Sequence, residues 1–88
     1  MEIKSADDFA LARKYTSNLR KRFPMFGKDI RQIEDIIERH IQEHATCFVY
    51  YRQTKRKSWL EKADKEIEKI NVVLQTVGKI ELMALLAR

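Results

Sequence analysis

The chain has 88 residues, enough for one domain and too few for two. With 35% charged residues, 44% hydrophobic residues, two glycines and one proline, it is neither a disordered tail nor a turn-rich β-sandwich. The net charge is +5, and one cysteine, Cys47, leaves no partner for an internal disulfide or a cysteine-based zinc site, which points to a reducing, cytoplasmic compartment.

No apolar run approaches the ~18 residues a membrane span needs, and the N-terminus carries no signal-peptide pattern. The expectation is a small, helix-rich, basic domain with no membrane role.

Ser5-Ala6-Asp7-Asp8 opens the first predicted helix, the serine hydroxyl accepting from free backbone donors and Asp8 standing at the return position. Phe9, Ala12, Thr16, Leu19 and Phe23 then recur at spacings of three and four and mark one face. Pro24 stops this helix near residue 23, because proline disfavours helical geometry in the residue before it, and Gly27 loosens the turn. A second helix is predicted over about 29–53, with its seam on Ile30, Ile33, Ile37, Ile41, His44, Phe48 and Tyr51. Its segment Cys47-Phe48-Val49-Tyr50-Tyr51 is apolar or aromatic on every side, more than one neighbouring helix can cover.

Thr54-Lys55-Arg56-Lys57 makes the next turn. Ser58-Trp59-Leu60-Glu61 reads as a capping box opening a helix over 58–77, with Leu60, Ala63, Ile67, Ile70, Leu74 and Val77 as its seam. Gly78 stands where a left-handed C-terminal cap is expected. The apolar tail 80–88 reads as the first turns of a fourth helix, cut short. The predicted fold is therefore all-α: one up-down antiparallel helical bundle of three helices plus a short or truncated fourth. The apolar segment and the tail both need cover, which self-association into a homo-oligomer supplies.

Charge is unevenly placed. Residues 9–28 hold Arg13, Lys14, Arg20, Lys21, Arg22 and Lys28 without one acid, and residues 45–60 hold Arg52, Lys55, Arg56 and Lys57, again without one. Segregated positive charge costs self-repulsion and attracts polyanions, so a nucleic acid (DNA or RNA) or an acidic protein is the expected partner. Elsewhere the signs interleave, as over residues 61–69, the pattern of a solvated helix face. Tyr50, Tyr51 and Trp59 flank the basic turn 52–57. They could stack bases, but are read first as staples of the helix hairpin.

Two motifs carry chemistry. His40-Ile41-Gln42-Glu43-His44 spells H-x-x-E-H, in which two histidines four apart share a helix face and can hold zinc with glutamate as base. Such an enzyme also needs a third ligand from a distant helix, and His44 falls on the core seam, so neither metal nor cofactor is expected. Arg39 and His44 also resemble the R-x4-6-H motif of HEPN-domain ribonucleases, helical dimers that set arginine and histidine around a phosphodiester. Inside one helix, five residues rotate the two side chains apart by about 140°. The chain reads as non-enzymatic, with a purely protein-binding module or a HEPN-like ribonuclease as alternatives.

The order Leu19-Arg20-Lys21-Arg22-Phe23-Pro24, a long isoleucine-rich helix, Tyr50-Tyr51 with a basic turn, and then Leu60-Glu61-Lys62-Ala63-Asp64 resembles the Avd-like group. These are four-helix-bundle accessory proteins of diversity-generating retroelements, related to proteins encoded in 23S rRNA intervening sequences. The resemblance covers roughly residues 10–83. It implies a pentameric, barrel-like assembly with a basic surface that binds nucleic acid and the element's reverse transcriptase without catalysing copying. It assigns contacts to Arg13, Lys14, Arg20, Lys21 and Arg22 on the first helix and to Lys55, Arg56 and Lys57 at the turn, beside Arg52. Family members continue through a full fourth helix, whereas this chain ends at Arg88.

Overall fold

The computed structural model describes residues 1–87 and is all-helical, with three α-helices and no strand among the described residues. α1 spans Phe9–Arg22, α2 Gly27–Thr54 and α3 Ser58–Leu86, with short 3-10 turns at Ala6–Asp8 and Pro24–Phe26. None of these helices is long and apolar enough to cross a membrane.

α1 starts after a 3-10 turn, three residues later than the serine cap implied. Ser5 makes no side-chain cap. Instead its carbonyl accepts from the Asp8 amide at 3.0 Å, while an Asp8 carboxylate oxygen accepts from the Lys4 amide at 2.8 Å. At the far end Phe23 leaves helical geometry, with φ −126° and ψ 70°, as expected of a residue before proline. Pro24 then takes the first position of the next turn, where no amide donor is needed. Gly27 does not loosen that turn: its φ of −57° and ψ of −40° are helical and it is the first residue of α2.

α2 closes on Lys55, a non-glycine residue in the left-handed region at φ 59°, whose amide donates to the Tyr51 carbonyl at 2.7 Å. The expected capping box at the next start does not form. Ser58 lies inside α3, and the first amides of that helix donate to the Arg56 and Lys57 carbonyls at 3.0–3.2 Å. The fourth helix is also corrected. α3 runs without interruption through Gly78 to Leu86, so the tail is its last turns and no separate element. The seam explains why, since Ala84 follows Val77 by two turns and both are buried. Arg88, the last residue of the expected fourth helix, lies outside the described residues.

The three helices share two buried clusters. Ile3, Phe9, Ala12, Ile37, Ile70 and Leu74 form one; Leu19, Phe23, Ile30, Val77 and Ala84 form the other. Tyr15 and Ile33 border both. Ile37, Ile70 and Leu74 are within 1% of complete burial, worth about 1.5–3 kcal/mol each by transfer. Positions that meet across α2 and α3 fall in number along one as they rise along the other: Tyr50 on Trp59, His40 on Glu66, Asp29 beside Met83. The result is a rod of 52 × 17 × 16 Å.

The N-terminal segment is tied to this rod by Asn71. Its side-chain oxygen accepts from the Ile3 amide at 2.7 Å, and its amide group donates to the Ile3 carbonyl at 2.8 Å.

Candidate nucleic-acid interface

The basic turn 52–57 and the cations from Arg20 to Lys28 sit at opposite ends of α2, whose 28 residues span about 42 Å at the standard rise, while Arg13 faces its middle at Glu38. At the hairpin end, Arg52, Lys55, Arg56 and Lys57 are all exposed. None has an ion-pair partner among the described residues. The left-handed cap at Lys55 ends α2 and begins the sharp reversal that presents them.

The rings beside this turn act as staples. Tyr50 and Trp59 stack at 4.7 Å with 25° between their planes, locking the two helix ends together. The Lys62 ammonium sits 4.4 Å from the Trp59 centroid, so the outer face of the pair carries a further cation. Tyr51 is half-buried.

The cations of α1 are arranged differently. Arg13 donates through Nε and Nη2 to both Glu38 oxygens, at 2.5 and 3.0 Å. Those hydrogen bonds raise the Arg13 guanidinium above its ordinary value and hold the Glu38 carboxyl below its own. Arg20 donates to Glu34 at 2.8 Å and is half-buried. Arg22 lies 3.9 Å from Glu81 and over the Phe23 ring at 5.1 Å. Lys14 and Lys21 are exposed without an ion pair among the described residues. Three of the five α1 cations thus face carboxylates of α2 or α3, with Arg13 placed between the two cationic ends of α2.

The cationic group at the start of α2 gains one residue that sequence reasoning did not single out. Arg31 joins Arg20 and Lys28 around a cleft of about 430 Å³ at the start of α2. Arg31 was hidden by its acidic neighbour Asp29, although both Lys28 and Arg31 fall on the outward side of that first turn.

The two chemical motifs come apart. His44 is buried, edge-on to Phe9 at 5.1 Å and tilted against Phe48 at 5.0 Å, and burial lowers its pKa. Arg39 is exposed on another side of α2, so the arginine–histidine pair does not converge. His40 turns from His44 toward α3, where its Nδ1 lies 2.7 Å from Glu66 Oε2. Glu66 itself was expected on a solvated face and is instead only 6% exposed, with Lys69 donating to its other oxygen at 3.1 Å. Burial is the largest influence on Glu66 and works to raise its pKa, but the bonds from Lys69 and His40 outweigh it and hold the carboxyl below its ordinary value.

Fold and charge together define an all-helical rod with a cationic hairpin turn. Comparison with protein-family models, with curated proteins and with solved structures found no match.

Proposed function

We propose that this chain is a non-catalytic, basic helical adaptor that binds nucleic acid and assembles with copies of itself in the cytoplasm. Its architecture in this reading is an up-down antiparallel bundle. The observation that carries the reading is the hairpin turn, where Arg52, Lys55, Arg56 and Lys57 stand exposed with no carboxylate partner among the described residues. Unneutralised cations on a stiff support attract phosphates and release counterions on contact. Lys14, Lys21, Lys28 and Arg31 extend the surface, while Arg13, Arg20 and Arg22 are held by Glu38, Glu34 and Glu81 and act first as inter-helix ties.

Self-assembly is supported by apolar side chains that one chain leaves open. Leu82, Met83, Leu85 and Leu86 at the end of α3 are 41–78% exposed, and Val49 is half-exposed. The resemblance to the Avd-like accessory proteins supports a pentamer and a reverse transcriptase as the protein partner.

Salt titration tests the proposal. Replacing Lys55, Arg56 and Lys57 with alanine should weaken binding to a labelled DNA or RNA and flatten the slope of log affinity against log salt by up to about 2–3. Replacing Arg13, Arg20 and Arg22 together should change it less, because their charge is already compensated. An unchanged slope in the first variant removes the turn from the interface. Absence of any binding at low salt, with tight capture of a protein partner, supports the protein-binding module instead.

A further inference from the structure

The contact between the middle of α2 and α3 is an unusual place for charge. Glu66 has a side chain 8% exposed, one of its oxygens on the His40 ring and the other on Lys69. An ionised carboxylate only accepts, so His40 Nδ1 carries the proton between them. Glu43, three residues after His40 and therefore on the same side of α2, is exposed and has no hydrogen bond or ion pair among the described residues. One ligand atom from each of His40, Glu43 and Glu66 can be chosen so that all lie within 4.8 Å of one another.

We propose that His40, Glu43 and Glu66 form a binding site for a first-row divalent cation, of which zinc fits best. Zinc bonds of about 2.0–2.2 Å to nitrogen and oxygen place neighbouring ligand atoms of a tetrahedron roughly 3.3–3.5 Å apart. From the present spread the exposed Glu43 side chain closes on the other two by rotation, while the His40–Glu66 pair, now 2.7 Å apart, opens by about 0.6 Å to admit the ion. The ion takes the position of the Nδ1 proton between His40 and Glu66: a neutral ring moves that proton to Nε2, and a cationic ring, already protonated at Nε2, releases it to solvent. One imidazole with two carboxylates suits zinc over magnesium or calcium, which take oxygen alone. Lys69 keeps the second Glu66 oxygen and orients the carboxylate from outside the ligand set. Three protein ligands leave a position for water, and the groove beside Glu43 and Glu66 opens to solvent.

Histidine and glutamate three apart were visible in the sequence as part of H-x-x-E-H. The fold replaces His44, which is turned into the core, by a carboxylate from the facing helix. The inference is independent of nucleic-acid binding.

Zinc chloride is the probe, titrated calorimetrically into the whole chain and into Cys47→Ala, which removes the lone thiol lining the same groove. Saturable binding of one ion per chain is expected in both. Glu43→Gln, His40→Ala and Glu66→Gln should each weaken it by roughly tenfold or more, and Asp35→Asn should leave it unchanged. Glu43→Gln alters an exposed side chain, so it tests the site even where the buried change at Glu66 impairs folding. The chain has two histidines, and zinc should shift the imidazole NMR signals of His40 alone. No saturable binding, binding lost in Cys47→Ala, binding unaltered by Glu43→Gln and His40→Ala, or a shift of His44 alone overturns the proposal.

Discussion

Replacing Gly78 with alanine separates a continuous α3 from a helix that stops and restarts. In the structure Gly78 is helical, no glycine among the described residues has a positive φ, and a Cβ built on it meets nothing within 4 Å. The added methyl therefore neither clashes nor strains the backbone. What remains is the intrinsic difference between glycine and alanine inside a helix, about 0.5–1 kcal/mol in favour of alanine. For a domain of this size 1 kcal/mol moves the melting temperature by about 4–8 °C, so Gly78→Ala should melt roughly 2–8 °C higher. Circular dichroism at fixed protein concentration measures it, because self-assembly makes the midpoint concentration-dependent. A left-handed cap at this position reverses the sign, since alanine is strained there. A lower or unchanged midpoint would refute the continuous helix.

Three further outcomes follow from particular contacts. Asn71→Ala removes both bonds to the Ile3 backbone and should cost about 1–3 kcal/mol, with faster hydrogen exchange confined to the first residues. His44→Ala empties a place between Phe9 and Phe48 and should lower stability to urea by about 1–3 kcal/mol; loss of an RNA-cleaving activity with stability intact would instead favour the ribonuclease reading. Tyr15, which donates to Glu81 at 2.8 Å, has its phenol pushed up to about 12, first by burial and then by that bond. Its raised folded value means a contribution to stability that is present below about pH 10 and lost as pH rises toward 12. Alkaline absorbance titration should show one late-ionising tyrosine that disappears in Tyr15→Phe.

Most of the helical framework is written locally. The spacing from Phe9 to Phe23 marks a face that is wholly buried, and Pro24 ends α1 for a reason contained in two residues. Gly78 misled because local preference favours a stop there, while the continuing seam to Ala84 depends on burial against other helices. The same division holds at the interface. Runs of cations can be counted in sequence, but whether they are free is decided by Glu34, Glu38 and Glu81, which come from other helices. Glu66 sat within an interleaved charge run, although its place three after Ala63 and four before Ile70 was a signal of the buried seam.

The rod shape has an electrostatic consequence. Screening at physiological ionic strength decays over about 8 Å, several times shorter than the roughly 42 Å of α2 between its cationic ends. The ends therefore act as separate charges on a fixed ruler. With base pairs about 3.4 Å apart, a straight duplex laid along the rod meets both only once it is about a dozen pairs long, and a shorter one occupies a single end.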